Sequence, residues 1–134
     1  MDTILRGYHA FVAGDLAKVA ELLDPDIEWF GVAPEQPPAD VGEVKTMLTS
    51  RHGDGYRIEL ERCIGKGDEV LVAFRAAGVE KDPNDDRPLQ SRRTFTIGRY
   101  WAVVTVRDGR VVRVRDYPGL GPGLEALGLD ESDL

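Results

Sequence analysis

The chain has little of what several common kinds of functional site require. Its 134 residues include one cysteine and two histidines. A single cysteine excludes an intrachain disulfide and a cysteine-based metal site, and we expect the Cys63 thiol to be half-buried and inert. His9 and His52 do not form a metal-ligand set. The sequence therefore predicts neither a bound metal nor a cofactor.

Basic residues and long apolar runs are also scarce. The chain has 17 Lys and Arg against 24 Asp and Glu, a net charge of −7, which excludes a nucleic-acid partner. The longest apolar run, Val70 to Ala77, is interrupted by Arg75 and is too short to cross a bilayer. The first residues show no basic segment followed by an apolar core, so no signal peptide is predicted. We expect a soluble cytoplasmic protein with no membrane partner.

The pattern of apolar residues predicts one domain, residues 1–134, that begins with helices. Helical spacing predicts helices over residues 4–12 and 16–23. Gly14 suits the C-terminal cap of the first helix, and Asp15 the N-terminal cap of the second. Asp40 followed by Glu43 predicts a capping box at the start of a third helix.

From Tyr56 onward the apolar period changes from helical to alternating. It predicts strands over 56–64, 69–80, 92–107 and 110–117, a polar loop over 81–90, and an earlier short strand over 27–32. Helices followed by antiparallel strands indicate an α+β fold. We expect a long, curved antiparallel sheet that wraps around the helical hairpin and the third helix and leaves a cone-shaped pocket. A last helical turn over 124–129 would cover an open edge or the pocket mouth.

The hairpin at Asp108-Gly109 contains the strongest candidate residue. An Asp-Gly pair between two β-rich runs predicts a two-residue turn. Counting outward from it pairs Trp101 with Asp116. Because side chains alternate between faces, this register makes Asp116 the lone charge on an apolar face that it shares with Trp101. The opposite face, with Tyr100, Ala102, Val104 and Val106, is then too apolar to be exposed, which predicts a homodimer.

Three segments resemble the SnoaL-like branch of the nuclear-transport-factor-2-like superfamily. They are Phe11–Leu16, Leu23–Trp29, and Arg107–Val111 leading into Arg115-Asp116-Tyr117. The resemblance implies the cone-shaped fold and dimerisation through the sheet. It leaves the chemistry open, since the superfamily includes polyketide cyclases, ketosteroid isomerases, dehydratases and limonene epoxide hydrolase.

The resemblance to limonene epoxide hydrolase reaches individual residues. Asp116 matches that enzyme's catalytic aspartate, and Arg75 matches the arginine of its Arg-x-Asp strand. Ala77 stands where the hydrolase has the second aspartate. Trp29 and Gly31 stand where it has the tyrosine and asparagine that help hold the water. The acid–base set is therefore incomplete, and epoxide hydrolysis is not expected.

Asp116 and Arg75 are accordingly the candidate catalytic pair. Burial in an apolar cavity raises the pKa of a carboxyl group and a nearby guanidinium lowers it again, which leaves a usable general acid or base. The alternative is a structural ion pair that sets strand register. Candidate ligand-binding residues are Trp29, Trp101, Tyr8, Phe11 and His52. The alternatives are an ordinary core position for each aromatic residue and a solvated loop position for His52.

Two functions stay open at this point. The first is a cofactor-independent isomerase, cyclase or dehydratase in which Asp116 moves a proton on a small hydrophobic molecule. The second is a binding or dimeric interaction domain without chemistry. The sequence identifies neither the ligand nor the pathway.

Overall fold

The computed structural model describes residues 2–33, 35–79, 84 and 94–133. The predicted loop over 81–90 lies outside these residues, apart from Asn84. Within them the elements are α1 (Asp2–Ala13), α2 (Leu16–Glu21), β1 (Leu23–Phe30), α3 (Val41–Gly53), β2 (Arg57–Lys66), β3 (Glu69–Val79), β4 (Thr94–Arg107), β5 (Arg110–Tyr117), α4 (Leu120–Ala126) and a 3₁₀ turn (Glu131–Asp133). None of the described helices is both long and apolar enough to cross a bilayer.

The predicted helix caps are confirmed. Gly14 ends α1 with a φ of +79°, a conformation that glycine adopts without strain. The Asp15 side chain accepts a hydrogen bond from the Lys18 backbone N–H at 3.1 Å and so caps α2. Asp40 and Glu43 form the predicted capping box, because each side chain accepts a hydrogen bond from the other residue's backbone N–H.

Two helices differ in extent from the prediction. Helix α3 continues through Gly53, so Arg51 and His52 belong to its last turn and not to a loop. The C-terminal helix α4 begins at Leu120, earlier than predicted, and Gly119-Leu120-Gly121 is its first turn and not a flexible link. In both cases the polar or glycine-rich sequence is typical of loops, and tertiary packing overrides that preference.

The five strands form one sheet in the order β1-β5-β4-β3-β2. The α+β fold and the interior position of the apolar strand β3 are confirmed. The sheet is mixed, however, because β1 pairs with β5 in parallel, whereas all later pairs are antiparallel. Parallel neighbours require a long connection in the sequence. The segment from α3 to β4 provides this connection between β1 and β5.

The sheet is covered on both faces. On the face that we call inner, side chains of β3, β4 and β5 pack with Ile4 of α1 and Ile27 of β1. On the outer face, Leu71 and Val103 pack with Leu124 and Leu127. Helix α4 therefore covers the outer face and not the pocket mouth. The inner cluster includes Val70, Val72, Ala102, Val104 and Val114.

The register of the β4–β5 hairpin differs from the predicted one after its second pair. Val106 pairs with Val111, but Thr105 then pairs with Arg113, so Val112 is an extra residue in β5. A β-bulge of this kind moves every later residue of the strand to the opposite face. The predicted pairing of Trp101 with Asp116 is therefore wrong, and Asp116 pairs with Ala102.

The same shift removes the structural argument for the dimer. The face with Ala102 and Val104 was predicted to be an exposed apolar surface. These two side chains are only 6% and 8% exposed, and they lie in the core beneath the helices. The outer face beyond α4 instead carries ion pairs, including Arg99 Nε to Glu61 Oε1 at 3.0 Å.

Candidate functional site

Asp116 lies near the C-terminal end of β5, on the inner face, where it is half-buried. Trp29 of the neighbouring strand β1 reaches it from the side. The Trp29 indole Nε1–H donates a hydrogen bond to Asp116 Oδ2 at 3.1 Å. The parallel pairing of Trp29 with Val114 places the indole on the same face as the carboxyl group. This hydrogen bond holds one oxygen of the carboxyl group.

The environment of Asp116 shifts its protonation toward the neutral form. Desolvation by burial raises the pKa of the carboxyl group above its ordinary value of 3.8. The hydrogen bond from Trp29 and the positive charge of Arg51 act in the opposite direction and are smaller. The predicted balance between burial and a guanidinium is present, but the cation is Arg51 and not Arg75.

Arg51, Tyr56 and Tyr100 complete this site, and sequence reasoning did not select any of them. The Arg51 guanidinium, from the last turn of α3, lies 5.4 Å from the ring centroid of Tyr56. Tyr56 also lies near Tyr100, which is two residues before Ala102 on β4. Burial and this contact with Tyr100 raise the pKa of Tyr56, so its phenol stays protonated at neutral pH.

An open depression of about 360 Å³ adjoins Tyr56. Its wall is mostly apolar, and Asp54 lies at its rim. A bulge at Ile97 shapes this wall. Phe95 packs directly over Gly78, so closely that a Cβ at residue 78 would lie 2.5 Å from Phe95 Cζ. The lining residues are Asp54, Tyr56, Gly78, Val79, Phe95 and Ile97.

Arg75 and Trp101 lie on the outer face, away from Asp116. Arg75 Nη2 forms an ion pair with Glu59 Oε2 at 2.6 Å, and both side chains are more than half exposed. Trp101 packs against the α4 cluster. The structure therefore does not bring either residue to the carboxyl group. The resemblance indicated an arginine beside Asp116 on β3, but in this chain the inner position of β3 is occupied by Phe74.

The other three predicted ligand-binding residues belong to the helices: Tyr8 and Phe11 to α1, and His52 to α3. The Tyr8 hydroxyl donates a weak hydrogen bond to the Ile58 carbonyl at 3.4 Å, and its ring tilts against Phe74 at 6.4 Å. Phe11 is buried, with only 7% exposure, in a cluster between α1 and α2. His52 sets its ring edge-on to Phe11 at 6.0 Å. Of the five predicted ligand-binding residues, the structure brings only Trp29 into contact with Asp116.

Cys63 is half-buried, as predicted, and burial raises the pKa of its thiol. A raised pKa reduces the thiolate fraction and with it the reactivity. The described residues contain no group of His, Cys, Asp and Glu side chains that could hold a metal ion.

A second, larger depression of about 650 Å³ lies at the other end of the sheet. It is lined by charged residues of both signs, among them Lys66, Arg107, Arg113 and Glu28. It contains none of the residues that the sequence singled out. Its mixed charges favour solvation over the binding of a hydrophobic molecule.

The sequence contains a signal for the position of Tyr100 relative to Asp116, but none for Arg51. A bulge signal is present in Val111-Val112, two adjacent apolar residues in an otherwise alternating strand. Placing the bulge there moves Asp116 to the face of Ala102 and brings Tyr100 to the same side. No local signal identifies Arg51, because its position depends on how α3 packs against the sheet.

Comparison with known proteins agrees with this architecture. A family model of the SnoaL-like domain matches residues 4–114. Wild-type IdmH of Streptomyces antibioticus, a protein with a suggested polyketide cyclase activity, superposes with a TM-score of 0.67 at 24% identity, covering 86% of this chain and 88% of IdmH. An epoxide hydrolase of the limonene epoxide hydrolase type from M. tuberculosis gives a TM-score of 0.65 at 19% identity, with 87% and 80% covered.

An NTF2-like protein of unknown function from Burkholderia pseudomallei covers nearly the whole chain. Its TM-score is 0.65 at 20% identity, with 98% of this chain and 96% of that protein aligned. No curated protein sequence matches significantly. The family model covers well over half of the chain and the structural neighbours share its fold, so the chain belongs to the SnoaL-like domain family, with an NTF2-like fold.

Proposed function

We propose that this protein binds a small, largely hydrophobic molecule at the inner-face site and transfers a proton on it through Asp116. The observation that carries the proposal is the half-buried carboxyl group held by the Trp29 indole at 3.1 Å. A fixed carboxyl group with a raised pKa is suited to give and take protons on a bound molecule. The suggested cyclase activity of the structural neighbour IdmH is consistent with such chemistry.

Isomerisation, cyclisation and dehydration all fit this arrangement. Each needs one group that removes a proton at one atom and returns it at another, and Asp116 Oδ1 is available for both steps. The Trp29 hydrogen bond to Oδ2 keeps the carboxyl group in one orientation during the exchange. Epoxide hydrolysis fits less well, because Arg75 lies on the other face and Ala77 replaces the second aspartate.

Proton exchange on an enolisable ketone tests the proposal without knowledge of the natural substrate. The probe 2-tetralone is incubated in D₂O, and loss of its α-proton signals is followed by NMR. The Trp29 indole N–H resonance reports binding in parallel. We expect that resonance to shift on titration and the exchange to be faster than in buffer. Asp116→Asn should lower the protein-dependent rate by about 10²- to 10⁴-fold, the usual contribution of a general base.

Asp108→Asn is the matched control, since it makes the same chemical change at the exposed hairpin turn. Asparagine tolerates the positive φ of 52° that Asp108 adopts there. The control should keep the wild-type rate. A shift of the Trp29 resonance with no acceleration by the wild type would refute proton transfer and leave a binding protein. An unchanged Trp29 resonance would refute the site itself.

The alternative function is a ligand-binding or interaction domain without chemistry. Ala77, at the position where limonene epoxide hydrolase has its second aspartate, favours it, since many acid–base enzymes divide the work between two groups. It predicts a retained ligand that is never converted. Native mass spectrometry of the freshly purified protein, before and after denaturation, detects such a molecule.

We also propose that the chain forms a homodimer through the sheet and resides in the cytoplasm. Support for the dimer comes from the family resemblance, because the apolar face first assigned to the interface lies in the core. Sedimentation velocity at micromolar concentration is the test. A single monomer boundary would contradict the dimer.

A further inference from the structure

Arg51 is a cation with no carboxylate partner in ion-pair contact among the residues that the structure describes. Two exposed arginines of the sheet form ion pairs, Arg75 with Glu59 and Arg99 with Glu61. Arg51 instead lies with its guanidinium 5.4 Å from the Tyr56 ring. Its charge is also felt by Asp116. This exposed cation therefore lies near the inner-face site.

Two phenols stand beside this cation. Tyr56 lies near Tyr100, and Tyr100 is 46% exposed, so its ring is accessible from solvent. The guanidinium and the two phenols thus lie near one another, and the charge of the guanidinium reaches Asp116. A cation with neighbouring hydroxyl donors matches a carboxylate, which accepts several hydrogen bonds through two oxygens.

The depression next to Tyr56 supplies the complementary apolar part. Val79, Phe95 and Ile97 contribute most of its wall, and its volume of about 360 Å³ lies at the lower end of the range for small-molecule sites. Phe95 and Ile97 are 50% and 43% exposed, which leaves apolar surface uncovered directly beside the donors. A ligand that filled this site would have an apolar body and one polar end.

We propose that Arg51 and the Tyr56–Tyr100 pair select ligands that carry a carboxylate, or another anionic oxygen group, on a small apolar body. The inference rests on the proposed function, because it names the ligand class of the same site. Arg51 supplies the charge, the phenols supply hydrogen bonds, and the apolar wall holds the body. Asp54 at the rim opposes an anion, so the carboxylate should lie on the Arg51 side.

Two probes of the same shape test this assignment. 2-Naphthoate carries a carboxylate, and 2-naphthamide replaces it with a neutral amide. Dissociation constants are measured by NMR titration of the full chain, followed at the Trp29 indole resonance. We expect naphthoate to bind about fivefold to tenfold more tightly than naphthamide, the effect of one partly exposed charged contact.

The variants separate the charge from the hydroxyl groups. Arg51→Gln should remove the preference for naphthoate, because it should weaken the binding of naphthoate much more than that of naphthamide. Tyr100→Phe should reduce the preference by about twofold to threefold, since a neutral hydrogen bond contributes less than a charged one. Arg110→Gln is the matched control, because it removes the same charge from the exposed end of the β4–β5 hairpin. It should keep the full preference.

Each outcome has a distinct meaning. If naphthamide and naphthoate bind equally well to the wild type, the ligand class is wrong and the proposed site stands. If Arg51→Gln lowers stability but keeps the preference, Arg51 only stabilises the C-terminus of α3, and the inference falls. If neither probe shifts the Trp29 resonance, both the proposed site and the inference are refuted.

Discussion

The same strands form both faces of the sheet, but the two faces place charged side chains in different environments. On the outer face, charged side chains pair with one another in solvent, and α4 covers the apolar remainder. On the inner face, the one carboxyl group next to the core is half-buried and bonded to an indole. A charged group in water needs no partner, whereas a charged group next to the core needs hydrogen bonds or an opposite charge to offset its desolvation. The comparison supports the assignment of the proposed function to the inner face.

The largest effect on stability is expected from removing the cover of the outer face. Leu124 of α4 is 1% exposed and packs with Leu71 and Val103. Leu124→Ala should lower the free energy of unfolding by about 2–5 kcal/mol, because it leaves a cavity in a closed cluster. Urea denaturation measures the loss. Binding of 2-naphthamide to the folded variant should be unchanged, and a weakened affinity would show that the faces are not independent.

The two tryptophans provide a direct comparison between the faces. Trp29→Phe removes the donor to Asp116, which should raise the pKa of the carboxyl group further and cost about 1–3 kcal/mol in unfolding free energy. Trp101→Phe keeps the carboxyl group's environment and should leave its pKa unchanged. Carboxyl ¹³C NMR titration of both variants is the measurement. Equal shifts in the two would mean that Trp101 also reaches Asp116.

The pH dependence of stability should follow the raised pKa of Asp116. The folded state binds this proton more tightly than the unfolded state does. The contribution to stability is therefore complete below the ordinary value of 3.8 and is lost as the pH rises through the higher folded-state pKa. We expect the unfolding free energy of the wild type, relative to Asp116→Asn, to fall over this interval. A difference that rises with pH would contradict the assigned direction.

The smallest effect is expected at the outer-face ion pair. Arg75→Gln breaks the contact with Glu59, but both side chains are largely exposed. The loss in unfolding free energy should be about 1 kcal/mol or less, and added salt should reduce it. Ligand binding and proton exchange should not change. A large loss of activity in this variant would restore Arg75 as a functional residue.

Much of the fold follows from local patterns. The caps at Gly14, Asp15 and Asp40 depend on backbone groups within a few residues, and all three are as predicted. The hairpin turn at Asp108-Gly109 is also local, since both residues adopt the positive φ that such a turn requires. By contrast, the parallel pairing of β1 with β5 joins distant segments and has no local signal.

The candidate site was predicted only in part. The structure places Asp116 half-buried on the inner face and in contact with Trp29, and their roles in a site stay a prediction. The partners assigned to Asp116 were wrong, because counting from the turn took no account of the extra residue Val112. In a strand, an error of one residue exchanges the two faces, so Trp101 and Arg75 were placed on the wrong side of the sheet.

The sequence by itself determined the helix caps, the strand periods, the hairpin turn and the presence of a carboxyl group in an apolar strand. These depend on interactions over a few residues, and the residue types report them directly. Only the tertiary structure decided which face Asp116 occupies and that Arg51 lies close enough to act on it, beside Tyr56. A bulge and the packing angle of a helix are set by the whole core, because a single extra residue or a small rotation redirects side chains that are far apart in sequence.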